Sequence, residues 1–190
     1  MRRLARFVAT FVLIVAGADA LPREEVHVSF VPWKVVSPGE SVDAPLVLYW
    51  IPASAEELRR SPLLTSEELT LFSARCVAMR IVRMDDAGRL ASLEAGPDLP
   101  TAILAGPDGE AIARADATDV AEVELMVRRA LEAREQHAEE RLDEARRRAH
   151  ADDAARAREI YETVAHERCL CPRQARDAQR ALRKMKRIED

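Results

Sequence analysis

The sequence predicts an α/β fold: a β-α-β-α-β-β-α domain followed by an α-helical hairpin extension. Three observations predict it. Residues 46–50 are apolar, β-branched or aromatic, as in buried strands. Two further apolar runs flank Asp108 and Gly109, a pair typical of hairpin turns. Beyond Leu131 the chain has neither glycine nor proline until Pro172, which is typical of long helices.

The first elements of the domain follow from strand and helix-start signals. Residues 24–33 alternate apolar and polar side chains, which suits a half-buried strand. The strand at 46–50 leads into a helix from about Ala55. Ser61 and Pro62 interrupt that helix, because proline lacks the N–H that continues it.

The middle of the domain is predicted from caps and periodicity. A capping box at 65–68 opens a second helix that runs to about residue 74. A strand at 76–84 closes a βαβ unit, whose crossover we expect to be right-handed. A short helix at 87–95 follows, and Gly96 is placed to terminate it.

A loop at Leu99 and Pro100, the hairpin and a final helix complete the domain. Thr118 begins this helix, and one of its faces is apolar. That face consists of Val120, Val123, Val127 and Leu131.

The extension reads as three consecutive helical stretches. The apolar stripe of the long helix becomes sparse after residue 131. Asp152 and Asp153 then break this helical pattern and can cap a new helix. Pro172 is suited to the first position of the last helix. The apolar face of the middle helix is Ala157, Ile160, Tyr161 and Val164. The apolar face of the last helix is Ala175, Ala178, Leu182, Met185 and Ile188.

The N-terminus is typical of an export signal. Three arginines precede an almost wholly apolar stretch at 7–18, and residues 18–20 form a small-x-small cleavage site. The stretch is shorter than the roughly 20 residues that span a bilayer, so an uncleaved anchor is the lesser alternative. We divide the chain into a signal peptide at 1–20, a domain at 21–133 and an extension at 134–190. We expect an exported bacterial protein, periplasmic or extracellular, with no stable membrane span after signal removal.

The segment at 99–113 reads Leu-Pro-Thr, a strand, Gly-Pro-Asp-Gly and a second strand. This order resembles the cis-proline loop and hairpin of the thioredoxin family, and the resemblance covers about residues 35–131. It implies a cis bond before Pro100 and a peptide-binding groove lined by Pro100 and Trp50, although Pro100 may equally serve only to turn the chain. It also implies that the two redox cysteines would fall at Ser54 and Glu57, and neither residue can perform thiol chemistry.

Ser54 and Glu57 themselves form a Ser-x-x-Glu capping box. We expect the Ser54 hydroxyl to accept from the Glu57 N–H and the Glu57 carboxylate to accept from the Ser54 N–H. These degenerate redox-site positions then have a structural role. A hydrolytic Ser54 is the alternative, but no histidine is near in sequence and no Gly-x-Ser-x-Gly motif surrounds it.

The extension shows a second, weaker resemblance. Residues 154–162, with Pro172 at the next helix start, resemble a tetratricopeptide helix pair. A free-standing array normally needs three or more repeats, and only one is present. We expect the pair to pack on the domain or on a partner, with self-association through the C-terminal helices as an alternative.

Three interpretations of Cys169 and Cys171 stay open. They could be a redox pair, although residues two apart on a helix point to nearly opposite sides. With His166 they could contribute to a metal site, but a structural zinc site needs a fourth ligand. They could pack at a helix corner, with one bridged to Cys76 or to another chain. Cys76 itself is predicted in a strand as a small buried residue.

Composition limits the possible partners. The net charge of −4 indicates no polyanionic partner, and the basic stretch at 173–187 lacks the interleaved aromatics that stack on bases, so we expect no nucleic acid. We expect no cofactor and no metal. The favoured function is a redox-inactive protein- or peptide-binding or scaffold module. The alternative is a thiol-disulfide oxidoreductase that uses Cys169 and Cys171.

Overall fold

The computed structural model describes residues 30–151 and 153–189, and the predicted signal peptide lies outside them. Within these residues the chain forms a mixed five-stranded sheet and six α-helices. The strands are β1 Lys34–Val35, β2 Leu46–Ile51, β3 Val77–Ile81, β4 Thr101–Ala105 and β5 Ala111–Asp116. The helices are α1 Ala55–Arg60, α2 Glu67–Ser73, α3 Ala87–Ser92, α4 Val120–His150, α5 Ala154–His166 and α6 Pro172–Glu189.

The sheet is ordered β1-β3-β2-β4-β5, with β2 at its centre. β2 pairs in parallel with β3 and antiparallel with β4. All six residues of β2 are buried, because both faces of the sheet are covered. The Ile51–Thr101 pair brings the end of β2 beside the start of β4. Residues that follow β2 and residues that precede β4 therefore lie at one edge.

Two apolar cores lie on opposite faces of the sheet. On one face, Leu46, Leu48 and Trp50 pack with residues of α2 and α4. On the other, Tyr49 and Ile51 pack with Leu93 and other residues next to α3. Alternating side chains of β2 thus contribute to different cores, as the two-residue period of a strand requires.

The first half of α4 covers the sheet, and its second half supports α5 and α6. Val123 and Val127 belong to the sheet-side core, whereas Leu142 and Ala145 lie in the part that meets α5 and α6. The predicted boundary at 133/134 falls inside this 31-residue helix. No helix of the described residues is long and apolar enough to cross a membrane.

Several helix starts are confirmed. Ser54 caps α1, Asp153 caps α5 and Pro172 is the first residue of α6. The second capping site differs by one position, because Ser66 and not Thr65 is the N-cap of α2. The helix expected from Thr118 is capped by Asp119 and begins at Val120.

Other boundaries are corrected. The strand expected at 76–84 spans only Val77–Ile81, since Cys76 has a φ of +60° and lies in the turn before it. Of the lead-in strand expected at 24–33, residues 30–33 form no strand, and 24–29 lie outside the described part. The short helix before Gly96 already ends at Ser92.

Candidate functional site

The start of α1 is closed by two local hydrogen bonds. The Glu57 N–H donates to the Ser54 Oγ at 3.1 Å, as the capping box predicts. The Glu57 Oε2 accepts from the Ala53 N–H at 2.6 Å, one residue earlier than expected. Both groups are therefore engaged in capping the helix. The second carboxylate oxygen of Glu57 is buried and has no partner among the described residues.

An apolar pocket of about 260 Å³ lies beside this helix start. Pro52, Ala55, Leu58 and Met84 line it together with Ser54, and we call it the α1 pocket. Met84 is 53% exposed, so this part of the lining is accessible to another molecule. A pocket of this size and lining can accept an apolar side chain from another molecule.

An ion pair borders the α1 pocket. Arg83 donates to Asp85 from two nitrogens, at 2.9 and 2.6 Å. The hydrogen bond from Arg83 lowers the pKa of Asp85, and the same bond raises the pKa of Arg83. Both groups therefore stay charged at neutral pH. They give the apolar pocket a polar rim.

Trp50 is not a groove residue, contrary to the sequence prediction. Its side chain is 0% exposed and packs edge-on against Trp33, with ring centroids 5.5 Å apart. The Trp50 indole N–H has no partner in the described residues, whereas that of Trp33 donates to the Leu63 carbonyl. Because β2 is covered on both faces, Trp50 is a core residue and cannot contact a ligand.

Pro100 lies at the same edge of the sheet but lines a different cleft. The Leu99–Pro100 bond is cis. The cleft measures about 470 Å³ and is bordered by Asp98, Asp116 and Glu122. Thr118 donates to Asp116 from its N–H and hydroxyl, and these bonds lower the pKa of Asp116. Arg114 also lines the cleft, so three acidic side chains outnumber one basic side chain there, in contrast to the α1 pocket.

The cysteines are not paired as a Cys169–Cys171 disulfide. Cys169 is bonded to Cys76, with a Cα–Cα distance of 5.7 Å, so the bridge to Cys76 is the interpretation that the structure contains. Cys171 is a free thiol and 0% exposed. Burial, and then the negative charges of Glu167 and Glu135, raise its pKa. The His166 ring contacts the Glu162 carbonyl at 2.7 Å.

Arg75, which the sequence did not single out, strengthens the same corner. Its guanidinium donates to the Glu135 carboxylate on α4 and to the Leu170 carbonyl. Together with the neighbouring Cys76, it joins the turn before β3 to α4 and to the turn before α6. No local pattern marks an arginine whose partners are 60 and 95 residues away.

No protein-family model matches the sequence, and no curated protein matches it.

Proposed function

We propose that this protein is an exported, redox-inactive member of the thioredoxin-like class that binds a protein or peptide through the α1 pocket. The observation that carries the proposal is the exposed apolar lining beside a helix start that contains no cysteine. In the family this helix start holds the reactive thiols and lies next to the bound polypeptide. A surface that keeps the apolar lining and lacks the thiols can bind a polypeptide but cannot exchange disulfides with it.

The arrangement of the sheet supports the resemblance. β1, β3 and β2 are parallel neighbours, and β4 and β5 form an antiparallel hairpin that leads into α4. The cis bond before Pro100 lies at the start of β4, where the resemblance implies it. These features agree with the expected β-α-β-α-β-β-α order.

The start of α1 contains no cysteine, and capping groups occupy the position where a thiol would be activated. A helix N-terminus stabilises a thiolate because its N–H groups are unpaired and its dipole is positive there. Here the Ser54 hydroxyl and the Glu57 carboxylate accept from two of the N–H groups near that end. The same electrostatic feature now stabilises the helix.

The lining of the α1 pocket suits an apolar side chain in a partner polypeptide. Leu58 and Met84 provide flexible apolar contacts, and methionine adapts readily to different shapes. The Arg83–Asp85 pair at the rim offers both donors and acceptors to a peptide backbone. Binding sites commonly combine an apolar centre with such a polar rim.

The rival function, a thiol-disulfide oxidoreductase that uses Cys169 and Cys171, has less support. The attacking species in exchange is an accessible thiolate. Cys171 is fully buried and its pKa is raised, and both conditions disfavour that species. Cys169 is engaged with Cys76.

The Cys76–Cys169 disulfide also supports export. Disulfides persist in oxidising compartments and are rare in the cytosol. The Cys76–Cys169 bond therefore agrees with the basic and apolar N-terminal pattern of the sequence.

A titration with an unfolded, carboxymethylated polypeptide tests the function. Fluorescently labelled polypeptide is added to the full chain, and binding is followed by anisotropy. We expect saturable binding, which Met84→Lys weakens at least about tenfold because a charge enters the apolar lining. Leu71→Lys is the matched control, since Leu71 is another exposed apolar residue, 64% exposed on α2. Equal effects of the two substitutions, or no binding at all, would overturn the proposal.

The assignment of the lost redox positions has its own test. Ser54→Cys combined with Glu57→Cys is expected to give a disulfide between the introduced thiols, mapped by mass spectrometry. The control is Ser54→Cys combined with Arg60→Cys, which places the second thiol at the other end of α1. Failure of the first pair to bond, under conditions where the Cys76–Cys169 bond is intact, would mean that the alignment is wrong.

A further inference from the structure

A pocket of about 410 Å³ lies in the helical extension, between α4, α5 and α6. We call it the extension pocket. Four polar side chains line it: Arg146 and His150 on α4, Tyr161 on α5 and Lys184 on α6. Its volume is in the range of small-molecule sites.

Three of these four side chains have no partner among the described side chains. Within the side chains of residues 30–151 and 153–187, the Lys184 ammonium makes no ion pair, and neither the His150 ring nor the Tyr161 hydroxyl makes a hydrogen bond. Arg146 differs, because Asp143 and Glu139 hold it at 2.5 and 3.5 Å. The Lys184 and His150 side chains are exposed, so both are accessible to a ligand that enters the pocket.

The Tyr161 hydroxyl keeps its proton at neutral pH. Its pKa is raised by burial, and the positive charge of Arg146 only partly opposes this effect. Tyr161 is thus a donor, and its ring is 6% exposed. A donor on a buried ring is held in a fixed position and loses little freedom when a ligand binds.

The remaining lining is apolar. Ala149, Ala181 and Met185 lie in the same pocket as the Tyr161 ring. On α6, residues 173–187 contain seven basic residues and one acid. On α4, Asp143 and Glu139 pair with Arg146, so Lys184 is the lining cation that attracts an anion.

We propose that the extension pocket binds a small amphiphilic anion, namely a free carboxylate with a short apolar chain. Its head group accepts hydrogen bonds from Lys184 and the nearby donors, and its chain contacts Met185. The site is separate from the α1 pocket, and this inference does not depend on the proposed function.

A simpler account assigns these cations to the helix ends. Basic side chains near the last turns of α4 and α6 stabilise the negative ends of the helix dipoles. That account predicts no ligand. It also leaves the Tyr161 hydroxyl, in the middle of α5, without a role.

Methyl NMR of methionine-labelled full chain separates the two accounts. Decanoate is titrated, and we expect the Met185 methyl resonance to shift and saturate. Met79 and Met126, both buried in the core, are internal controls whose resonances should not move. Decanol, with the same chain and no charge, should bind at least about tenfold more weakly, because a hydrogen bond to a charged group is lost.

Two variants complete the test. Lys184→Met should weaken decanoate binding about tenfold, whereas Lys186→Met, at an equally exposed position of the same helix outside the pocket lining, should leave it unchanged. Thermal unfolding checks that both variants fold. Equal affinity for decanol, parallel shifts of Met79 and Met126, equal loss in both variants, or binding only to vesicles of anionic phospholipid would each overturn the proposal.

Discussion

At the start of α1, both capping hydrogen bonds join residues three or four positions apart. At the corner of Cys76 and Cys169, the contacts join residues 60 to 95 positions apart. The family resemblance would place sulfur at the first of these regions, and the chain carries it at the second. The difference teaches that hydrogen bonds between near neighbours are enough to close the first region, whereas in the second the Cys76–Cys169 bond acts as a long-range clamp.

The largest expected effect comes from removing the clamp. Cys76→Ala combined with Cys169→Ala should lower the free energy of unfolding by about 4 kcal/mol, because the bond closes a loop with a separation of 93 residues. Urea denaturation of the double variant and of the unchanged protein measures this loss of stability.

Cys171→Ala is the control for the clamp, since it removes a buried thiol and leaves the bond intact. The free energy of unfolding that Cys171→Ala loses should be clearly smaller than the loss in the double variant. If the double variant loses no more than Cys171→Ala, the corner is not a clamp and the comparison fails.

A smaller effect is expected at Arg75, the polar part of the same corner. Arg75→Met keeps most of the side-chain volume and removes the bonds to Glu135 and to the Leu170 carbonyl. The partly buried partners lose a charged donor, so stability should fall by about 1.5 kcal/mol. Chemical denaturation with the disulfide intact measures this loss.

Arg128→Met provides the comparison for Arg75, because Arg128 also links α2 to α4, through Glu68, but at a more exposed position. Its effect should be smaller. Equal losses of stability in Arg75→Met and Arg128→Met would show that the burial of Arg75 adds nothing to the strength of its hydrogen bonds.

The local site should respond still less. Ser54→Ala removes one capping acceptor from α1 and should cost about 1 kcal/mol in the same urea assay. Ser92→Ala is the control, since Ser92 is exposed and donates only to the Arg89 carbonyl in its own helix. A loss at Ser54 as large as that of the clamp would erase the distinction between the two regions.

Acid provides the smallest effect. The pKa values of Asp85, Asp116 and Glu144 are lowered in the folded state, mainly by hydrogen bonds from Arg83, Thr118 and Arg148 respectively. A lowered carboxyl pKa stabilises the fold above the unfolded value of about 4, and that stability is lost as pH falls through the folded value.

Urea midpoints between about pH 5 and about pH 2.5 measure this dependence. Asp85→Asn should flatten the pH dependence slightly and leave the disulfide unaffected. A steeper dependence in that variant would contradict the assignment.

Much of the fold could be predicted because its signals are local. The strand at the centre of the sheet, the Ser54 cap and the Pro172 helix start each depend on residues within a few positions of one another. Such signals reflect backbone hydrogen bonding and side-chain periodicity, which hold before any tertiary contact forms.

The errors arise where tertiary packing decides. Only the family resemblance predicts Trp50 in a groove; the unbroken apolar run around it predicts a buried strand, and both of its faces are covered. Cys76 was expected within a strand, and its positive φ arises at a turn that the sequence does not mark. A local pattern predicts neither the partners of Arg75 nor the presence of Tyr161 and Lys184 in one pocket, since each depends on how helices pack.

The Cys76–Cys169 bond also makes the backbone between these residues a closed covalent ring, which contains β3, α3, β4, β5, α4 and α5. A protease that cuts once inside the ring, for example at the exposed turn around Asp108, opens it without releasing a fragment. The nicked molecule keeps its full mass until a reductant is added, and only then separates into two pieces. The single bond thus keeps the molecule in one piece after one cut anywhere in the 93-residue span that it closes.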